Sequence, residues 1–300
     1  MESFIIENTG NTCYIDSLLM ALFYSNSHLE KLLNKEINNT LGIYLQEYIK
    51  EKFIDSVRNN KSVFSDDIDM IKTLCFQLGW RRNNSLDNDE FEKQQDVNEF
   101  FTFLIEIFEQ EQIEIIRNTI SEGIPENNDI GIKEYIPFIP LSLSLEKKIV
   151  TVKQILHDWL FDNISNVKRN ISTINGNKEI TVKGLNSYLI SNTPNILALS
   201  INRFNEEKSR IDSDVIIQKK INIIKKDNLL NYNEWIFHSA VCHKGSSTKS
   251  GHYYSLLSNN NKWYLFDDIK WPCLKEVSMN DKIITDMIKK DCVFLIYKSP

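Results

Sequence analysis

Asn8-Thr9-Gly10-Asn11-Thr12-Cys13-Tyr14-Ile15-Asp16-Ser17-Leu18-Leu19 is a polar, glycine-containing turn that runs straight into an apolar, periodic stretch. Tyr14, Leu18 and Leu22 recur at i, i+4 and i+8, with Ile15, Leu19 and Phe23 beside them, so the spacing predicts an amphipathic helix. Asn11 or Thr12 stands where a helix cap belongs. Cys13 then falls in the first turn, where unpaired backbone N–H groups and the positive end of the helix dipole favour an anion. A thiol placed there is expected to have a depressed pKa and to serve as a nucleophilic thiolate. For an isolated cysteine the plainer role, a small residue packed under a helix, is the commoner one. The choice turns on whether the rest of the chain supplies a base.

Outward from this stretch the first part of the chain reads as helical. Residues 41–57 carry Leu41, Tyr44, Leu45, Tyr48 and Ile49 at helical spacing, and Ile68, Ile71, Leu74, Cys75 and Leu78 mark another helix that closes near Gly79. A polar loop is expected over 81–89. Val97, Phe100, Phe101, Leu104, Ile105 and Phe108 give the strongest helical pattern, with Asp96 and Glu99 placed as a capping box. Residues 121–131, with Pro125 and several Asn and Asp, read as a loop and as the break between two lobes. Beyond it, 138–145 alternate apolar and polar residues as a half-buried strand does. Thr151 and Gln154 form a capping box ahead of Val152, Ile155, Leu156, Trp159 and Leu160. Residues 163–178 are polar without a pattern. Strand-like segments follow at 196–204, 235–243, 253–257, 262–266 and 293–297, joined in several places by short turns. The expected class is α+β: a helical N-terminal lobe over 1–125 and an antiparallel-sheet C-terminal lobe over 126–300.

The 300 residues are 42% hydrophobic and 25% charged, an ordinary balance for a globular chain. The net charge is −6 and no basic block stands out, so no nucleic-acid partner is expected. No stretch of about 18 apolar residues could span a bilayer, no secretory signal is visible, and no membrane partner is expected. Cys13, Cys75, Cys242, Cys273 and Cys292 are odd in number and scattered, which fits free thiols in a reducing compartment, cytoplasmic or nuclear. No C-x-x-C pair is present, so no structural metal and no cofactor are expected. Isoleucine, asparagine and lysine are abundant, a bias that AT-rich coding sequences give, many viral and parasite genomes among them. A viral source would place the chain in its host cell.

Of the five histidines, His28 and His157 lie on predicted helices without a clustered partner, and His238 and His243 fit structural roles in one strand. His252 differs, because Gly251-His252-Tyr253-Tyr254 delivers it from a loop to the start of a strand, and Gly251 leaves room for a close approach. Trp263-Tyr264-Leu265-Phe266-Asp267-Asp268 follows. Strand–turn–strand geometry sets Asp267 where it can hold the second nitrogen of the His252 ring, as the third member of a triad does. Taken alone, the two acids also fit a plain acidic turn. Attack by a thiolate on an acyl carbon creates an oxyanion, which needs fixed donors. The Asn8 amide and the backbone N–H of Cys13 stand ready in the same turn, although Asn8 alone also suits turn formation.

These segments resemble the ubiquitin-specific proteases, a papain-like family of deubiquitinating cysteine peptidases. Gly10-Asn11-Thr12-Cys13-Tyr14 is similar to the cysteine box, and 251–254 through 263–268 to the histidine box. Gln94-Gln95-Asp96-Val97-Asn98-Glu99-Phe100 is similar to the glutamine–aspartate box. Residues 196–204, ending in Arg203-Phe204, and 293–297 resemble two further strands, all in the family's order. The resemblance implies a single catalytic domain over 1–300 with thumb, palm and fingers, acting as a monomer on ubiquitin and ubiquitinated proteins. It implies hydrolysis after the C-terminal glycine of ubiquitin, with Cys13 as nucleophile, His252 as base, Asp267 orienting it, Asp268 assisting and Asn8 in the oxyanion hole. Gln94, Asp96 and Glu99 match positions that line the channel for the ubiquitin tail, and loops 205–214 and 244–250 match mobile loops over that tail. The chain departs from the pattern with Thr9 where leucine is usual and Asp16 where asparagine is usual, and an acid near Cys13 opposes thiolate formation. No cysteine lies between Leu145 and Ile196, so shortened, metal-free fingers are expected. An inactive ubiquitin-binding scaffold and a protease for a ubiquitin-like modifier are the alternatives.

Overall fold

The computed structural model describes residues 4–8, 10–80, 94–174, 176–205, 207, 209–225, 228–247 and 250–300. Thr9 and the expected loop at 81–89 lie outside them. The first helix, α1, spans Cys13–Phe23, and every one of its residues is buried, Asp16 and Ser17 included. The expected amphipathic helix is thus a central one, packed on all sides. Thr12 occupies the cap position without making a cap bond. Its hydroxyl donates instead to Asp16 Oδ2 at 3.1 Å.

The segment expected as one helix over 41–57 is three pieces. An α-helix over Thr40–Tyr48 widens into a π-helix over Ile49–Ile54 and closes over Asp55–Arg58. Ile49, Phe53 and Ile54, spaced i, i+4 and i+5, are the buried residues of the wide turn, and that spacing suits the larger π period. The helix Ser65–Gln77 ends at Gly79, whose φ of 105° gives the turn that only glycine takes freely. The helix Val97–Ile107 is capped by Asp96, which accepts from the Asn98 N–H.

Strand β1 (Ile113–Ser121) begins ahead of the 121–131 loop that was expected to separate the lobes. It pairs with β2 (Asp129–Ile136), and with β5 (Asn163–Thr173) and β6 (Gly176–Ile190) it forms a four-stranded antiparallel sheet in the order β2-β1-β6-β5. The polar stretch at 163–178 therefore forms β5 and the start of β6, in a hairpin of 11- and 15-residue strands. Between β2 and β5 come β3 (Ile139–Ser142), β4 (Ile149–Thr151) and the helix Val152–Phe161, whose Thr151–Gln154 capping box forms as expected.

The large sheet holds eight strands. Its path runs β13 (Leu274–Val277), β12 (Lys262–Phe266), β11 (Ser250–Asn259), β10 (Asn228–Ser247), β14 (Cys292–Lys298), β7 (Ile196–Asn202) and β3, with β9 (Lys220–Lys225) also on β10. All pairs are antiparallel except β3 with β7. Its two faces belong to two cores. Ala198, Val241, Tyr253, Phe294 and Ile296 face the helices, while Leu199, Ala240, Tyr254, Leu295 and Tyr297 face the helix Val152–Phe161 and its neighbours. The loop expected at 244–250 is mostly strand, since β10 runs to Ser247 and β11 starts at Ser250, with 248 and 249 outside the described residues. A last helix, Lys282–Asp291, precedes β14. No described helix is long and apolar enough to cross a membrane.

Candidate active site

Helix α1 is fastened to the large sheet through its C-terminal carbonyls. Ser239 Oγ on β10 donates to the Ala21 carbonyl at 2.6 Å, and His238 Nε2 lies 3.4 Å from that of Leu22. From the other side Arg58 donates to the carbonyls of Phe23, Tyr24 and Ser25. These bonds fix the far end of the helix and so aim its first residue, Cys13, at the start of β11. The thiol is buried, facing the backbone N–H groups of Tyr253 and Tyr14. Those donors favour a thiolate. Burial outweighs them, with Asp268 and Asp16 adding to it, and the thiol is pushed up to about 12. The depressed thiol expected from the helix start is therefore not found in the free protein.

The turn between β11 and β12 sets His252 against Asp267. Asn260 and Asn261, with φ of 50° and 62°, make the tight two-residue hairpin that favours left-handed residues. Ser255 then pairs with Phe266, and one step further brings Asp267 level with Tyr254, two residues along from His252 on the same strand face. The His252 Nε2 lies 2.7 Å from Asp267 Oδ1, with side-chain exposures of 21% and 16%. A carboxylate on Nε2 fixes the proton there and leaves Nδ1 as the acceptor. No hydrogen bond joins that ring to the Cys13 thiol among the described residues.

Asp268 is enclosed, with its Oδ1 3.5 Å from His252 Nε2. Its Oδ2 accepts from Asn8 Nδ2 at 2.6 Å, and Asn8 Oδ1 accepts from the Gly10 N–H at 2.8 Å. Asp268 thus ties His252 to the turn before Cys13. Burial raises its carboxyl, while His252 and Asn8 pull it down. An amide nitrogen carries two N–H bonds, and one of Asn8's is committed to Asp268. The sequence offered no sign of this link, because Asn8 and Asp268 stand at opposite ends of the chain.

Gln94 is half-buried, with its Nε2 3.4 Å from His243 Nε2. Asp96 caps its helix, with Asn98 Nδ2 also bound at 2.8 Å, and Glu99 is exposed on that helix's first turn. His243 lies under Gly251: a Cβ at 251 would run into its ring and the Lys244 carbonyl. The room at Gly251 is thus filled by a protein ring. Burial, then Arg210, depress His243 to about 4. Arg210 holds the end of β10 by donating to the His243 carbonyl at 3.1 Å and the Gly245 carbonyl at 2.6 Å, and it pairs with Asp291 at 2.9 Å. The expected loop at 205–214 is therefore partly tied down, with a bridge between Phe204 and Arg210 and with 206 and 208 outside the described residues. Arg203 is buried and donates to the carbonyls of Cys292, Ser213 and Lys289. His157 is exposed on its helix, and His28 opens a short 3-10 turn.

The sequence profile of the family described as "Ubiquitin carboxyl-terminal hydrolase" matches residues 5–297. "Ubiquitin carboxyl-terminal hydrolase 7" of Drosophila melanogaster is 22% identical over 293 residues, covering 88% of this chain. The chain spans only 24% of that relative's length. Two solved structures share the fold. The SAGA Ubp8/Sgf11/Sus1/Sgf73 DUB module bound to ubiquitin aldehyde aligns with a TM-score of 0.67 at 15% identity, over 100% of this chain and 70% of that one. A second form of that module, bound to monoubiquitin, aligns at 0.68 and 15% identity, over 100% and 69%.

Proposed function

Because the chain belongs to the ubiquitin carboxyl-terminal hydrolase family, we propose that it is a cysteine-type deubiquitinase cleaving the thioester, amide or isopeptide bond after the last glycine of ubiquitin. The observation that carries this reading is the 2.7 Å His252–Asp267 pair beside Tyr253, whose backbone N–H faces the Cys13 thiol. His252 takes the thiol proton at Nδ1 as sulfur attacks the acyl carbon. With the free thiol near 12, that transfer accompanies attack rather than preceding it. Backbone N–H groups at the start of α1 and the second N–H of Asn8 receive the oxyanion. His252 then protonates the departing lysine amine, and water, deprotonated by the same ring, hydrolyses the thioester. Asp267 keeps the ring in its tautomer throughout, and Asp268 holds Asn8 in place. Gln94, Asp96 and Glu99 receive the ubiquitin tail, whose arginines suit carboxylate partners.

The test uses ubiquitin and ubiquitin-like proteins bearing a C-terminal electrophile, with Cys13→Ala alongside. The expected result is a covalent adduct with the ubiquitin probe, absent in Cys13→Ala. Ubiquitin binding without an adduct would leave a scaffold, and an adduct only with a ubiquitin-like probe would replace the substrate.

A further inference from the structure

Asp16 is the one buried acid of the cysteine turn that this mechanism leaves without a task. It follows Cys13 by three residues, a spacing that makes helix side chains neighbours. It is wholly enclosed. Its Oδ2 accepts from the Thr12 hydroxyl, the group that a helix start would otherwise use as its cap. Its Oδ1 has no hydrogen-bond partner in the structure. A carboxylate with a bare, enclosed oxygen is costly, and the neutral acid far less so. A second enclosed acid shares the pocket, because Asp268 also leaves one oxygen, Oδ1, without a hydrogen bond. The ionisable groups gathered here are Cys13 on the same helix, His252 on β11, and Asp267, Asp268 and Cys273 from the segment after β12. With Asp16 ionised, the thiolate, Asp16, Asp267 and Asp268 would be four anions around a single imidazolium.

We infer that Asp16 keeps its proton in the working protein and acts as a charge gate on Cys13: while the proton is held the thiol can give up its own proton to His252, and once it is lost the added carboxylate holds the thiol protonated. Burial and the nearby Asp268 raise the Asp16 carboxyl well above its ordinary value, in agreement with this geometry. Asp16 touches no reacting atom in this account and acts through Cys13, as a positioning residue for charge. The inference rests on the reading of Cys13 as the nucleophile.

The whole protein and Asp16→Asn, which matches the neutral acid in shape, are alkylated with iodoacetamide across a pH series, and modification of Cys13 is followed by peptide mass. The two rates are expected to agree within about twofold near pH 6, and the variant to lead by about fivefold or more near pH 9. A purely structural role would give a ratio that does not change with pH. A constant ratio, or a variant slower at high pH, would overturn the gate. Should Asp16→Asn fail to fold, Asp16→Ser is read in the same way. The wild-type infrared spectrum near pH 7 should also carry a protonated-carboxyl band that the variant lacks, and its absence would equally overturn the gate. Iodoacetamide needs no ubiquitin. A failed ubiquitin-probe reaction beside a pH-divergent alkylation ratio would therefore remove the substrate and leave the gate standing.

Discussion

At Cys13 the helix start offers about half an elementary charge, felt within one turn, against the loss of solvation for a thiolate, and the thiol ends near 12. The base must therefore do more than sit nearby. Replacing Asp267 by Ala removes the group that orients His252. Turnover of a ubiquitin substrate should fall about a hundredfold or more, with ubiquitin binding little changed; equal turnover in the variant would remove Asp267 from the mechanism. Asp16 has a consequence for stability as well. Its folded pKa lies above the unfolded one, so the native state binds the extra proton, and stability falls as pH climbs from the ordinary carboxylate range through the raised value. Asp16→Asn should accordingly gain stability over the wild type as pH rises from 4, an advantage that fades toward pH 4; calorimetry across pH checks it. The sequence made Cys13, His252 and Asp267 legible because each sits at a fixed offset from a turn or a helix start. It was silent on the Asn8–Asp268 bond, which the chain's two ends create only by folding.

Single elements hold the site through backbone carbonyls more than through side-chain pairs. Arg58 gathers three carbonyls at the end of α1 and also pairs with Glu30 at 2.8 Å. Arg58→Ala should cost about 2 kcal/mol in urea unfolding; an unchanged midpoint would show that water replaces it without loss. His243, between β10 and the glycine before the base, is neutral when folded. Its depressed pKa means that the stability it supports is complete above about pH 6.5 and is lost as pH falls toward 4. The loss is about 3 kcal/mol at most, and His243→Gln should flatten that part of the stability profile. Elements with a regular burial were readable, since β12 alternates and β7 and β11, buried on both faces, run apolar. The hairpin of β5 and β6 was not. In β5, Ile164 and Val167 fall on opposite faces and Arg169 shares the face of Val167, so no period of two emerges there.

Across the molecule one sheet serves two cores. Phe294 and Leu295 are adjacent in β14, fully buried, and face opposite ways into the two clusters. Neither core can be lost without exposing the other's floor. Thermal unfolding followed near Trp80 in one core and near Trp235 in the other should give coincident transitions, and separated midpoints would show the lobes to be independent. The β5–β6 hairpin, with Ile174 at its tip fully exposed, should exchange its amide hydrogens ahead of the large sheet. The two-lobe organisation was legible from the shift between helical and strand periods. The shared sheet was not, because pairing order leaves no mark on local pattern. That order has a bearing on how the protein is made. The strand nearest the C-terminus, β14, lies between β10 and β7 in the middle of the sheet. A chain emerging from the ribosome carries Cys13 long before it carries the floor on which α1 and His252 meet. Until β14 is made, β7 and β10 lack the strand that joins them, so the sheet beneath α1 is completed last.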